Sequence, residues 1–592
     1  MNKKDINSKE YLDNLRHSCA HLLASAVVEL YPDVKLAIGP SIENGFYYDI
    51  DFGDTKISEE HFPKIERQMR DNIKTWKGFE KEELDQIEAK KQYKSNPYKE
   101  ELIDQYTENG KVKVGFYKSV GSKSSYFEGR EYWDLCKGGH VESPSEEIKH
   151  FKLLSIAGAY WRGDEKNRML TRVYGTCFPT QEELENYLKM LEEAEKRNHK
   201  KLGRELGLFM FHETAPGMAY WLPKGVTLYN ELINFWRVEH KLENYKEIFS
   251  PLINKRELYE TSGHWDHYRE NMFLSETEEG ETYALKPMNC PNAMVVFGSE
   301  TRSYRDLPLR LSDTDTLHRF ERSGTLNGLL RIREFRQDDA HIFVTEDQIV
   351  DEYKKLFALT EKFYSIFGLE YKFRLGTRPD DFMGDEKLWD KAESELKSVL
   401  ESSGKEYFVL EGDGAFYGPK IDILMKDALG REWQMGTLQL DFQQPLRFNL
   451  KYSASDGTTK TPIAIHRVIY GSLERFIGVL IEHFGGAFPT WLSPVQVKIL
   501  PISEKQIEYA TKIKNTLLEN GIRVELDERA ETLGSKIRDA QVEKMPYMLI
   551  VGDKEVEKNE VSVRNRSGKS ENMELEEFIK NVKTEIDNKN NV

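Results

Sequence analysis

A chain of 592 residues far exceeds the roughly 100–200 residues of one ordinary domain, so about three or four cores joined by linkers are expected. Its 101 acidic against 85 basic side chains give a formal net charge of −16, which excludes whole-surface attraction to nucleic acid and confines any such partner to local basic patches. The start, Met1 to Tyr11, is polar, and no stretch approaches the roughly 18 consecutive apolar residues of a membrane span, so a soluble, cytoplasmic protein with no membrane partner is expected.

Taken in chain order, the region from His17 to about Phe178 mixes short strand-like runs with charged helical stretches. In it, His17 and His21 stand four apart in His-Ser-Cys-Ala-His, on one face of a helix, and Cys136 and His140 repeat the spacing in Cys-Lys-Gly-Gly-His. On spacing alone these read equally as four zinc ligands or as ordinary side chains of a structural domain. Cys19, Cys136, Cys177 and Cys290 are scattered and read as reduced thiols, not as a disulfide framework.

Pro179 closes this region, and Thr180 with Glu183 forms a capping box ahead of a charged helix carrying Leu184, Leu188 and Leu191 on one face. That helix reads as a connector over 179–204. From 205 to 493, apolar strand candidates such as Tyr407–Leu410 and Ile421–Leu424 alternate with amphipathic helices such as Glu474–Phe484, which predicts a large mixed or antiparallel sheet with flanking helices. After Pro494, strands Val495–Leu500, Ile522–Leu526 and Met548–Val551 alternate with helices, one capped by Ser503 and Gln506 and stopped at Gly521, the other near Ser535–Lys544. This is the pattern of a small α/β domain.

Three stretches carry chemistry. The first runs from Gly225 through Phe235 and Trp236 to Ser250-Pro251. The second is Leu317-His318-Arg319-Phe320-Glu321-Arg322-Ser323-Gly324, continuing through Arg331 and Arg333 to Phe335, Gln337 and Asp339. The third is Ile465-His466-Arg467, followed by Gly471-Ser472-Leu473-Glu474-Arg475-Phe476. Together they resemble the signature motifs of class II aminoacyl-tRNA synthetases, which implies an α+β multidomain protein with an antiparallel-sheet catalytic core and, from the first motif, a homodimer. Activating an amino acid means attack of its carboxylate on the α-phosphate of ATP, and the developing negative charge needs fixed cations. Arginine supplies the planar fork of donors that lysine cannot. By resemblance, Arg319 holds the α-phosphate, Phe335 and Arg475 sandwich the adenine, Arg331 and Ser472 add nucleotide contacts, and Mg2+ accompanies ATP.

Met288-Asn289-Cys290-Pro291, Gln337-Asp338-Asp339-Ala340-His341-Ile342-Phe343 and Ile465-His466-Arg467 narrow the resemblance to threonyl-tRNA synthetases, over essentially the whole chain. It implies that L-threonine is activated and passed to tRNA-Thr. Cys290, His341 and His466 would be the three ligands of one Zn2+, with a fourth position open. Gln337, Asp339, Tyr417 and Lys420 would line the threonine side, and Gln434 and Thr437 the nucleotide or amino-acid side. A β-hydroxyl amino acid can chelate such a metal through its amino group and hydroxyl, whereas valine cannot. Serine can, and it lacks only a methyl, worth about 1–3 kcal/mol, so a second sieve is needed. His17, His21, Asp134, Cys136 and His140, with Gly158-Ala159-Tyr160-Trp161-Arg162-Gly163-Asp164, match the editing site at which the family positions water against seryl-tRNA.

The implied domains are editing 1–178, linker helix 179–204, catalytic 205–493 and anticodon-binding 494–592. In the last, the resemblance puts Glu555 and Arg564 on base-contacting positions, and the neighbouring Arg566 is expected to serve phosphates. The chain departs from the family by starting only sixteen residues before His17, without the usual ubiquitin-like domain, and at four positions. Asn292-Ala293 replaces Gly-His, Asn327 a histidine and Glu334 a glycine. These departures keep open a second reading, a catalytically weakened paralogue acting as a regulatory RNA-binding protein. The intact Arg319, Arg475, Cys290, His341 and His466 speak against it.

Overall fold

The computed structural model describes residues 8–93, 95–108, 113–124, 126–427 and 430–589, so the polar ends of the chain lie partly outside the described residues. The chain divides into two compact units, Met1–Glu192 and Glu193–Val592. The division falls inside the helix Gln181–Lys196, whose first turn is closed by the Thr180/Glu183 box: Thr180 N donates to Glu183 Oε2 at 3.1 Å and Glu183 N to Thr180 Oγ1 at 3.2 Å. The connector is two helices, the second being His199–Glu205 with Asn198 as its cap.

In the first unit, Ser8 caps the helix Lys9–Leu30, accepting from Tyr11 N. Leu15, Cys19, Leu22 and Ala26 recur at three- and four-residue steps and are buried. Beside it lies an antiparallel sheet in the order Lys35–Leu36, Gly45–Asp51, Met169–Phe178, His150–Tyr160, with Ser41–Ile42 added at Gly45–Asp51. A second antiparallel sheet joins Gly78–Asp85, Lys113–Val120 and Trp133–Leu135.

The second unit is built on an eight-stranded sheet in the order Lys246–Glu247, Leu309–Asp313, Asp339–Val344, Ile463–Val468, Glu432–Asp441, Lys420–Lys426, Glu370–Gly376, Tyr407–Leu410. Its pairs are antiparallel except the two at the edges, which are parallel. Register sets Leu311, His341, His466, Gln439 and Lys420 in one row across the sheet. Two residues along, Arg374, Asp422, Thr437 and Val468 form a second row, on the same face because side chains alternate.

Helix Leu473–Phe484 buries Phe476, Ile477 and Leu480 and starts at Ser472, whose hydroxyl accepts from Arg475 N. Helix Pro223–Leu242 buries Leu228, Leu232, Phe235 and Trp236 while leaving Val226, Val238 and Leu242 exposed. At Gly225 a Cβ would stand 1.9 Å from the Leu208 carbonyl oxygen, so this helix packs as closely as it does only with glycine there.

The C-terminal sheet orders Val524–Leu526, Val497–Pro501, Tyr547–Val551, Glu560–Asn565 and Ser570–Glu574. Its first three strands are the parallel α/β part that the sequence pattern anticipates. The last two are antiparallel and escape that pattern, because Glu560–Asn565 buries only Val561 and Val563, and Ser570–Glu574 none of its residues.

Candidate functional site

Two adjacent strands of the large sheet set His341 opposite His466, with ring centres 4.9 Å apart and planes at 86°. Cys290 opens the helix Cys290–Gly298, with Pro291 in its first turn. The three residues are buried, and one ligand atom from each lies within 4.8 Å of the others. His466 Nε2 is 2.7 Å from Asp441 Oδ2, whereas Nδ1 of His466 and Nδ1 of His341 are buried without a hydrogen-bond partner. Burial, then His466 and Arg467, hold His341 well below the usual imidazole range. Burial, then Asp339 and Asp441, push the Cys290 thiol well up. Two buried ring nitrogens without protein partners are ready ligands, and the thiol needs a cation beside it to ionise, so the donor set fits a three-ligand zinc site.

These groups open into a cavity of about 250 Å3 walled also by His264, Met288, Asp339, Tyr417 and Gln439. Asn289 Nδ2 donates to Asp339 Oδ2 at 3.1 Å, and Tyr417 donates to Gln439 Oε1. His264, pushed down to about 3 by burial and by His466 and Arg319, stands neutral with Nδ1 2.8 Å from Ser262 Oγ.

A second cavity, about 280 Å3, is walled by Arg319, Arg331, Phe335, Gln434, Ser472 and Arg475, and it shares Arg319, Gln337, Thr437 and Val468 with the first. One ligand can therefore span both. Arg475 donates through Nε to the Leu330 carbonyl at 2.9 Å and through Nη1 to the Gln434 carbonyl at 3.2 Å. Burial, then Arg319 and Arg331, lower its pKa, so mutually repelling guanidiniums leave a standing demand for an anion. Arg331 is partly balanced by Glu321 at 2.8 Å. The Phe335 ring, expected to pair with Arg475 around adenine, carries the Arg319 guanidinium 5.0 Å from its centre. Arg319 Nε also donates to the Pro287 carbonyl at 3.2 Å, tying the second motif to the loop before Cys290.

Lys420 walls neither cavity. Its ammonium is 3.1 Å from both Asp413 and Asp422. A larger cavity of about 490 Å3, between Leu208, Phe488 and Met545, gathers none of the expected site residues.

In the first unit, ligand atoms of His17, His21, Cys136 and His140 also lie within 4.8 Å of one another. Outer partners fix two of the rings: His17 Nδ1 is 3.1 Å from the Gly139 carbonyl and His140 Nδ1 is 3.1 Å from Ser18 Oγ. Cys136 Sγ is 3.3 Å from His140 Nε2. Burial lowers His17, His21 and His140 and raises Cys136 to about 12, so neutral rings face a neutral thiol. Asp134 does not join them. Its carboxylate takes Tyr48 Oη, Tyr93 Oη at 2.9 Å and the buried Lys99 ammonium at 2.5 Å, and it acts on the cluster through its charge.

Three family descriptions match the chain: the class II core domain of tRNA synthetases (G, H, P, S and T) over 273–484, an anticodon binding domain over 496–585, and the threonyl and alanyl tRNA synthetase second additional domain over 119–174. A threonine-tRNA ligase of Thermotoga neapolitana is 52% identical over 575 residues, 96% of this chain and 88% of the relative. One from Clostridium tetani is 51% identical over 587 residues, 99% and 90% of the two chains. The chain belongs to the threonine-tRNA ligase family. The crystal structure of the RNA binding domain of threonyl-tRNA synthetase from Cryptosporidium parvum is 44% identical, with a TM-score of 0.64 over 65% of this chain and 98% of that one.

The threonyl-tRNA synthetase class II core is the antiparallel sheet that carries both cavities, and the second additional domain includes Cys136 and His140 but not the helix bearing His17 and His21. Asp441, Asp422, His264 and Lys99 belong to these sites and were missed. For Asp422 the sequence carries a signal, a carboxylate inside an otherwise apolar strand, which local pattern alone does not favour.

In the C-terminal domain the expectation for Arg566 changes, while Glu555 and Arg564 have local partners. Arg566 is half-buried and donates to the carbonyls of Lys544, Ala487 and Phe488, so it braces the junction and is not free for phosphate. Glu555 Oε2 accepts from Gly552 N at 2.8 Å, capping its own helix, and Arg564 Nη1 reaches Ser570 Oγ at 3.4 Å.

Proposed function

We propose that the chain activates L-threonine with ATP and Mg2+, transfers it to tRNA-Thr, and hydrolyses mischarged seryl-tRNA at the His17/His21/Cys136/His140 cluster. The observation that carries this reading is the continuity of the Cys290/His341/His466 pocket with the cavity of Arg319, Arg331 and Arg475. A zinc ion held by those three ligands would supply a Lewis-acid position that an amino group and β-hydroxyl can chelate together. Asp339, Tyr417 and Gln337 wall the amino-acid side, and the guanidiniums offset charge that develops on the α-phosphate and pyrophosphate. The N-terminus of helix Leu473–Phe484 adds its dipole there.

Glu555 and Arg564 on the C-terminal domain are proposed to meet anticodon bases. Exposed Val238, Leu242, Phe249 and Ile253, on and after the first motif, suit burial in a homodimer. A cytoplasmic location is consistent with the described residues, among which no helix is long and apolar enough to cross a membrane.

The weakened-paralogue reading gains no support from the four departures. Glu334 Oε2 rests 3.3 Å from His318 Nε2, Asn327 N donates to the Arg331 carbonyl at 3.1 Å, and buried Asn292 and Ala293 lie on the helix behind Cys290. The test is threonine-dependent ATP–pyrophosphate exchange by zinc-loaded, folded protein. Its absence would sink the synthetase reading.

A further inference from the structure

Asp422 sits in the strand Lys420–Lys426 between Ile421 and Ile423, with its carboxylate fully buried. Register makes Arg374 and Thr437 its direct cross-strand neighbours. Four side-chain donors converge on it. Oδ2 takes Arg374 Nη2 at 2.7 Å and Lys420 Nζ at 3.1 Å, while Oδ1 takes Gln434 Nε2 at 2.8 Å and Thr437 Oγ1 at 2.9 Å. An ionised carboxylate only accepts, at about four lone-pair sites, so this one is saturated.

The saturation sets the polarity of its neighbours. Gln434 Oε1 accepts from Arg374 Nη2 at 2.9 Å while Nε2 gives to Asp422, so the amide cannot turn over without losing both bonds. Thr437 spends its only hydroxyl hydrogen on Asp422. What the hydroxyl presents to the two cavities it helps to wall is lone pairs alone.

We propose that Asp422 is a positioning residue of the activation site: by taking the Thr437 hydrogen it makes that hydroxyl an obligate acceptor where the two cavities meet, selecting an N–H or O–H donor on the bound amino acid or nucleotide. The inference rests on the amino-acid activation reading. Asparagine at 422 keeps the size but replaces one acceptor with a donor. Turned toward Oδ2's place, the new amide meets Arg374 and Lys420. Turned toward Oδ1's place, it meets Gln434 and reverses the Thr437 hydroxyl.

The experiment measures threonine-dependent ATP–pyrophosphate exchange on the full, zinc-loaded chain, with kcat and the KM of each substrate obtained separately. Asp422→Asn is expected to lower kcat/KM by about 10- to 100-fold, the range for losing hydrogen bonds to a charged group. Thr437→Val should fall comparably, and Thr437→Ser, which keeps the hydroxyl, should retain at least about tenfold more activity than Thr437→Val. The double variant Asp422→Asn/Thr437→Val should fall no further than either alone, since both remove one interaction. A rise confined to the threonine KM places the donor on the amino acid, and one confined to the ATP KM places it on the nucleotide. Zinc content and seryl-tRNA hydrolysis, which a general loss of fold would reduce, should stay at parental levels.

Parental kcat/KM in Asp422→Asn, fully additive losses in the double variant, or equal losses in Thr437→Ser and Thr437→Val each overturn the proposal. If Asp422→Asn does not fold, the contrast between serine and valine at 437 decides alone. A parent without exchange activity defeats the activation reading and this inference with it, whereas an active parent with any of the three contrary results defeats only the inference.

Discussion

Asp441→Asn probes the metal centre through a residue that lies behind it. Asp441 is fully buried; Oδ2 meets His466 Nε2 at 2.7 Å, and Oδ1 accepts from Gln443 N at 2.7 Å and Gln444 N at 3.0 Å. Asparagine keeps its oxygen on those two backbone amides, so its NH2 must face His466 Nε2. That nitrogen then has to accept, which moves the ring's hydrogen to Nδ1, the His466 atom with no protein partner and so the one free to ligate. A protonated Nδ1 has no lone pair for a metal. Replacing such an outer partner costs about 10- to 100-fold in metal affinity, or about 1.4–2.7 kcal/mol. Competition against a chelator of known affinity, on the purified full chain, should read zinc binding weaker by that factor. Metal-free stability should change by only about 1 kcal/mol, because both amide bonds survive. Zinc bound as tightly as in the parent would refute the tautomer argument.

Cys290→Ser should lose zinc and threonine-dependent exchange while far-UV circular dichroism is unchanged; unaltered zinc by elemental analysis would contradict the ligand assignment, and one further equivalent retained would place metal at the His17 cluster. His17→Ala combined with His21→Ala should let seryl-tRNA accumulate without slowing threonine charging, and clearance at the parental rate would remove this cluster as the editor. Burial pushes Glu474 from its ordinary 4.5 to about 7, so the fold favours the protonated form: its stabilisation is complete below about 4.5 and is lost as pH rises through about 7. Melting temperature should therefore fall from about pH 5 to pH 8, and Glu474→Gln should flatten that slope; an unchanged slope would assign the titration to other groups. Phe249, 70% exposed near the end of the first motif, should carry dimerisation, so Phe249→Glu with Val238→Glu should sediment as a monomer, and an intact dimer would move the interface elsewhere.

How much of this was legible depends on whether a spacing or a register does the work. His17 and His21 converge because four residues make about one helical turn, and the helix Lys9–Leu30 delivers them as expected. Cys136 and His140 share that spacing for a different reason. They flank a loop in which Gly138 and Gly139 take φ of 97° and 84°, and a Cβ at Gly138 would stand 2.4 Å from Tyr117 Oη, so a left-handed turn, not a helix face, folds His140 back toward the thiol. His341 and His466 meet through strand register, which no local pattern encodes; only their flanking words in family order made that pair readable. The same limit explains Arg566. A sequence shows a guanidinium but not its partners, and three backbone carbonyls left by the chain turn at Ala487–Phe488 and by Lys544 satisfy it as fully as a phosphate would. Asp422 is the converse case. Its strand, Lys420–Lys426, reads as apolar, yet a carboxylate survives burial only where donors saturate it, so an acidic residue inside such a strand marks where a polar network, and here the site, must lie.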